Sequence, residues 1–461
     1  MTDRARGVLP CALAVAALVA GLALTVTGGG TLADRSRLPG WYVLDAALFA
    51  FALLLLRRVA DRHVAPLVVV GSILVAGTGL LAPPRTSDDA YRYVWDGRVQ
   101  AAGVSPYAHT PDDPALSWLR DPGLFPDGDG CSAWDERRTA AGDCTRINRP
   151  AVHTVYPPVA EAWFLAEHPF GGGVRGVQVG GALLAVATTG VLLAVGGRSR
   201  RAALWGWCPA VALWAVNDAH ADTLGALLMV AGLGCAARRR TGAGGALLGA
   251  AAAAKLLPAL ALPGALSGAL SGLSARRPTR NDVLLATTAL GTFAAAYLPY
   301  VVLSGAGVLG YLPGYLREEG YEQGRLERFG LLRVVLPDPW TPWAAALVLA
   351  AVVLRVLRHG DPARPWRGAL LVTGTALLLV APSYPWYGLL VVALVALDGR
   401  WEWLAVPAAG QVLYLTGGED AQRAAYGAAL LWVLAVPLVR GRLRGGARRA
   451  MAGAVPETTN P

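Results

Sequence analysis

Leu9–Gly28 reads LPCALAVAALVAGLALTVTG, a stretch without a charged residue. Its length matches the ~20 residues that a helix needs to cross a bilayer core. Similar apolar blocks follow at Trp41–Leu56, Pro66–Leu81 and Val177–Val195. The whole chain has the same character. Of its 461 residues 54% are hydrophobic and 16% charged, and the mean hydropathy is +0.44. Soluble domains carry roughly 25% charged residues. A soluble chain of this length would divide into about two or three domains with polar surfaces. Backbone groups in hydrocarbon must be satisfied within their own segment, so the blocks are helices. The alternating strands of a membrane barrel are absent. The expected fold is therefore an all-α polytopic membrane protein.

The formal net charge is +10, but nucleic acid is not the implied partner. The basic residues fall in small clusters between apolar blocks, and no basic stripe or nucleic-acid motif occurs. With the N-terminus inside, clusters at Arg57/Arg58/Arg62, Arg198/Arg200/Arg201, Arg238–Arg240, Arg276/Arg277/Arg280, Arg355/Arg358/Arg364/Arg367 and Arg440–Arg449 are all cytoplasmic. Lys and Arg are retained on that side of a membrane. About fourteen crossings satisfy this, within a range of roughly 12–14. They run near 9–29, 41–57, 65–83, 174–196, 202–215, 219–236, 242–254, 257–273, 282–302, 340–358, 367–381, 385–398, 401–416 and 423–440. The stretch 242–273 is read as two short helices broken near Lys255 and Pro258, because a single span there would invert everything after it. Segment 157–170 is read as a helix lying at the outer interface. The first block follows Arg4 and Arg6, lacks a convincing cleavage site and is read as a retained span.

Residues 1–440 then form one transmembrane domain with two large outer loops, 84–173 and 303–339. Residues 441–461, basic and then polar, are expected to be a disordered cytoplasmic tail. Cys131 and Cys144 share the first outer loop, where an oxidising compartment favours a disulfide. Cys11, Cys208 and Cys235 sit in spans and read as small apolar residues. The polar interruptions of the apolar segments at Asn217–Asp222, Lys255 and Ser383–Tyr387 all fall on the outer side, although the topology used arginines alone.

The first outer loop opens Ser87-Asp88-Asp89-Ala90-Tyr91-Arg92-Tyr93-Val94-Trp95-Asp96-Gly97. A carboxylate at a membrane edge, partly shielded from water, suits a general base. A solvated loop start with helix-capping side chains explains the same residues. Further on come Gly103–Tyr107, Ile147–Pro150 and Thr154-Val155-Tyr156-Pro157-Pro158, which taken singly need be only rigid connectors. His220 and Asp222, in the Asn217–Asp222 turn, are ionisable groups near membrane depth and so candidates for orienting a substrate. A polar turn at the interface is the plainer reading. Two ligands are too few for a metal site, so no metal is expected. Lys255 is the single lysine among 41 basic residues. It lies deep in an apolar run beside a helix break, where an ammonium suits a phosphate; snorkelling to the interface is the alternative. The second outer loop mixes Arg317, Glu318, Glu319, Glu322, Arg325, Glu327, Arg328 and Arg333 with tyrosines, as an anionic or sugar surface or a solvated amphipathic helix would. Trp386 and Tyr387 suit a sugar ring or prenyl chain, and equally an interfacial aromatic belt.

Together these motifs resemble the GT-C class of polyprenyl-phosphate-sugar-dependent glycosyltransferases. The nearest likeness is to the bacterial mannosyltransferase-like group called family 87. The resemblance rests on Asp-Asp-x-Tyr-Arg-Tyr-x-Trp-Asp-Gly, Gly103–Tyr107, Ile147–Pro150, Tyr156–Pro158, Asn-x-x-His-x-Asp, Lys255 with Pro258, and Tyr384-Pro385-Trp386-Tyr387. They span about 85 to 387 in order. The resemblance implies a helical membrane domain with an outward cavity, a polyprenyl-phosphate sugar donor, most simply mannose or another hexose, and a glycan or glycolipid acceptor. It implies inversion at the anomeric carbon and no cofactor. On that likeness Asp89 is the base, with Asp88 the close second because Ala90 departs from the usual acid–acid pair. Arg92 and Lys255 become phosphate ligands, His220 and Asp222 orient hydroxyls, and Tyr156, Trp386 and Tyr387 contact sugar or lipid. A transporter or flippase of a lipid-linked glycan is the competing reading. It would place polar groups near the midplane and show internal repeats, and neither is evident. A non-catalytic membrane assembly partner would need no convergence of carboxylate, cation and aromatics.

Overall fold

The computed structural model describes residues 7–127, 130–197, 199–271, 278–318 and 328–452, with side chains as far as residue 440. The chain is an all-α polytopic membrane protein. Three helices lead: α1 (Val8–Gly28), α2 (Leu38–Leu56) and α3 (Asp61–Gly79). The first loop then folds into α4 (Asp89–Ala101), a short hairpin of β1 (Arg137–Arg138) and β2 (Cys144–Thr145), and α5 (Pro158–Glu167). After α6 (Val174–Val195) come α7 (Ser199–Gly206), a wide π-type turn over Val211–Asn217 and α8 (Asp222–Ala237). Next are α9 (Thr241–Ala254), α10 (Leu262–Ala265), α11 (Arg280–Ser304) and α12 (Leu312–Leu316). The chain closes with α13 (Thr341–His359), α14 (Pro365–Val380), α15 (Leu389–Asp398), α16 (Ala405–Thr416) and α17 (Glu419–Ala452).

Among the described residues seven helices are long and apolar enough to cross a membrane, or eight if the pair Val211–Asn217 and Asp222–Ala237, bent by 112°, counts as one span. That is fewer than the roughly 12–14 crossings expected. The difference has a local cause. Pro209 breaks the 202–215 segment into two pieces. Past Lys255, the expected span 257–273 holds Pro258, Pro263 and Gly268, and forms only a short turn and the four-residue α10. Thr241–Ala254, Pro365–Val380 and Pro385–Asp398 are apolar but short; at 1.5 Å per residue a fourteen-residue helix rises only about 21 Å. The stretch 157–170, expected as a helix, folds as α5 and a following turn to Phe170. The expected break at Lys255 is also present: Lys255 is extended, with φ −153° and ψ 139°. The final helix continues to Ala452, past the expected limit at 440. The rest of the tail expected to be disordered lies outside the described residues. So does the stretch 319–327, which holds Glu319, Glu322, Arg325 and Glu327.

Most of the arginine clusters with described side chains gather at one end of the bundle. Arg200 pairs with Asp61 and donates to the Leu56 and Val59 carbonyls, while Arg201 donates to Leu397 O. Arg367 pairs with Asp398, and Arg400 and Arg440 hold the buried Glu402. At the other end the first loop docks on α6 and the π-type turn. Two glycines allow other close approaches, of α6 to the π-type turn and of α4 to α5. A Cβ on Gly181 would stand 2.2 Å from the Ala215 carbonyl oxygen, and one on Gly97 would stand 2.4 Å from that of Phe164. Cys131 and Cys144 form the expected disulfide, beside the hairpin of the first loop.

Candidate active site

The segment after α3 is held by groups that the sequence offered only as a polar turn. The Asn217 amide donates to Gly79, Ala82 and Pro83 carbonyls at 3.0–3.1 Å. Gln178 Nε2 donates to Ala82 O and to Asn217 O. One oxygen of Asp218 accepts the backbone N–H of Arg85, Thr86 and Ser87 at 3.1–3.2 Å, and the other takes the Thr86 hydroxyl at 2.5 Å. This clamp fixes the chain immediately before Asp88 and Asp89, which begin α4. A helix N-terminus favours negative charge. Ala219 has φ 55°, an uncommon conformation for a residue with a side chain. That turn sends Asp218 toward the clamp and His220 toward Asp89.

The two adjacent carboxylates have different partners. Asp88 forms an ion pair with Arg137 and accepts Asn148 Nδ2 at 3.1 Å. Asp89 accepts the same amide at 2.5 Å, and its other oxygen lies 3.5 Å from His220 Nδ1. Among the described residues Asp89 has no ion pair with an arginine or lysine. Burial pushes its carboxyl up to about 6; Asp88 adds to the rise, and Lys255, Arg149 and Asn148 oppose it. The buried His220 stacks on Trp386 at 3.8 Å between ring centres, and Tyr384 stacks on Trp386 at 4.8 Å.

Lys255 reaches the same space from the break after α9. Its ammonium is 3.2 Å from Asp222 Oδ2 and sits 5.0 Å and 5.9 Å from the ring centres of Tyr156 and Tyr387. Asp222 is fully buried at the first position of α8. Asp88, Asp89, Arg92, Tyr156, Lys255, Trp386 and Tyr387 all line one cavity of about 740 Å³. His220 and Asp222, expected to touch substrate, stand one layer behind that lining. They contact Asp89 and Lys255 instead.

Arg92, expected as a phosphate ligand, is mostly committed elsewhere. Its Nε faces both oxygens of Asp96 at 2.9–3.0 Å and its Nη1 donates to Val152 O. Only Nη2 is unpartnered, and it is buried. The reason is the i,i+4 spacing of Arg92 and Asp96, which puts them on one face of α4. Beneath them Glu161 accepts from Thr154 and from Gln100, and burial beside Asp96 holds the Glu161 carboxyl well above its usual range. Arg137, which sequence reading did not single out, lines the cavity, as do Asn148 and Arg149 of the Ile147–Pro150 element. Arg137 is an ordinary polar residue in a polar loop, so only the folded loop identifies it, whereas Ile147–Pro150 taken singly reads as a rigid connector. Arg149 has φ 47° and donates to Glu318 at 2.6 Å. The second loop closes one wall: Tyr311 N donates to Thr154 O, and the Tyr315 and Tyr387 hydroxyls are hydrogen-bonded to each other.

The cavity thus presents an acid group of raised pKa, an ammonium flanked by aromatic rings, three guanidiniums, of which Arg92 is turned to Asp96, and flat apolar faces. That set can take a proton from a hydroxyl, balance an anion and stack on a ring or an isoprenoid. Among the described residues no group of three or more His, Cys, Asp or Glu side chains is placed to hold a metal ion. Comparison with protein-family models, with curated proteins and with solved structures finds no match to this chain.

Proposed function

We propose that the protein is a membrane glycosyltransferase that moves a sugar, mannose or another hexose, from a polyprenyl-phosphate donor to a glycan or glycolipid acceptor on the outer face, with inversion. The observation that supports it most is that Asp89 and Lys255 line one cavity whose floor is aromatic. In this reading the acceptor oxygen forms a bond to the anomeric carbon while the bond from that carbon to the phosphate oxygen breaks. Asp89 takes the hydroxyl proton, and the polyprenyl phosphate leaves with the electron pair of the broken bond. Lys255, with Arg149 at the loop side, balances the leaving phosphate. His220 orients Asp89 and Asp222 holds Lys255, each acting through its neighbour. Trp386 and Tyr387 offer their faces to the sugar or the first isoprene units. Asp88 is held by Arg137, which favours Asp89 as the base.

The test is turnover by the purified full chain offered polyprenyl-phosphate mannose or nucleotide-mannose. Transfer from the lipid donor alone, lowered roughly 10²–10⁴-fold by Asp89→Asn with donor binding retained, is the expected result. Movement of a lipid-linked sugar across liposomes without transfer, unaffected by Asp89→Asn or Lys255→Ala, would replace the enzyme with a flippase.

A further inference from the structure

A second cavity, of about 1000 Å³, lies outside the proposed active site. It is a groove between α2 on one side and α15 and α16 on the other, with α7 and the π-type turn as its floor. On α2 its lining runs from Pro39 to Arg57, a rise of about 27 Å at 1.5 Å per residue. That nearly equals the ~30 Å hydrocarbon thickness. The walls are apolar throughout, with Phe49, Leu53, Leu213 and Val412 among them.

Charge appears at one end only, where Arg57, Arg200 and Arg201 line the groove. At this end Asp61 pairs with Arg200, Asp398 with Arg367, and Glu402 with Arg400 and Arg440, and Arg201 lies near Asp398. The lining itself holds three guanidiniums and no carboxylate. Arg200 is fixed by Asp61 and the two carbonyls described above, whereas no ion pair engages Arg57 among the described residues. The opposite end is lined by Pro39, Tyr42, Gln411 and Leu415, without a charge. Trp214 donates there to Gln411 at 3.0 Å. An apolar slot with one cationic end matches one amphiphile with an anionic head.

We infer that this groove binds an anionic glycerophospholipid, with its phosphate and headgroup on Arg57, Arg200 and Arg201 and its acyl chains along α2. Guanidinium pairs with phosphate in fork geometry, and the acyl chains fill the space between α2 and α16.

The test uses the full chain reconstituted in phosphatidylcholine vesicles containing a minority of phosphatidylglycerol. After gentle solubilisation, retained lipids are counted by native mass spectrometry. Phosphatidylglycerol is expected to be retained above its share of the vesicle. Arg57→Ala is expected to lower that preference roughly fivefold. Ala50→Trp, at an exposed wall position, is expected to displace the lipid of either class while the thermal unfolding midpoint is kept. Equal retention of the two phospholipids by the natural chain, or a preference untouched by Arg57→Ala, overturns the inference. So does retention of a neutral lipid or prenyl chain in the groove. None of these readouts depends on glycosyl transfer.

Discussion

Replacing Asp89 by Asn removes the charge while leaving a carbonyl oxygen to accept the Asn148 amide. In the folded protein the Asp89 carboxyl is raised from 3.8 to about 6, first by burial and then by Asp88. The folded state therefore favours the protonated form. The contribution is fully present below pH 3.8 and is lost as pH rises through 6. A change from 3.8 to about 6 corresponds to about 3 kcal/mol. Because the side chain is 16% exposed and borders a cavity, water reduces the figure, and about 1–3 kcal/mol is the expected range. At pH 8 the natural chain carries an ionised Asp89 and lacks this stabilisation, whereas the Asn variant never carries the charge. Asp89→Asn should then be more stable at pH 8, with the gap closing toward pH 5. Thermal unfolding of the two proteins in one detergent across that range measures it. A variant equally stable at all pH values, or less stable at pH 8, would refute the burial argument. Improved stability with lost turnover would mark a group kept for chemistry at a cost to the fold.

Three other outcomes follow from the same contacts. Transfer should rise with pH through about 6 as Asp89 ionises, measured at saturating donor; a flat profile would assign the base elsewhere. Lys255→Ala leaves the buried Asp222 unpaired and should cost about 3–5 kcal/mol, and adding Asp222→Asn should restore stability but not turnover. Asp218→Ala strips the acceptor from three backbone N–H groups and the Thr86 hydroxyl; hydrogen bonds to a charged group contribute about 1.5–3 kcal/mol each. It should lower stability and kcat together although Asp218 does not line the cavity, and Asp218→Asn, which keeps an oxygen acceptor, should fall between.

The long helices were legible because one property decides them. A run such as Leu9–Gly28 has no polar alternative in lipid, and α1 follows it to within a residue at its start. The count of crossings was not legible, because Pro209, Pro258 and Pro263 interrupt apolar runs whose composition alone still looks like a span. In the candidate site, Asp89, Lys255 and Trp386 stood out as polar or aromatic residues against apolar flanks. Arg137 did not, since a polar residue in a polar loop carries no contrast, and Asn148 and Arg149 were visible only as part of the Ile147–Pro150 element. Asn217 and Asp218 were visible as an interruption, but their partners lie about 130 residues earlier in the chain. Arg92 misled for a different reason: it belongs to a motif around the site, yet its i,i+4 partner Asp96 turns it inward.

The interruptions that shorten the helices also build the site. Lys255 is extended where α9 stops, Ala219 is left-handed where the bent pair breaks, and Ala381, with φ 50°, ends α14 just before Ser383–Tyr387. Each break exposes backbone groups that hydrocarbon cannot satisfy. Such breaks are tolerable at membrane depth only inside protein or beside a water-filled cavity. The burial pattern obeys that rule: every residue of α15 is buried, as is every residue of the π-type turn. The unbroken α11 buries only Leu285 and Ala289. The long α11 is thus mostly exposed, whereas the interrupted segments are packed inside the protein. Lys255, costly in lipid, is delivered at such a break to the cavity that it shares with Asp89.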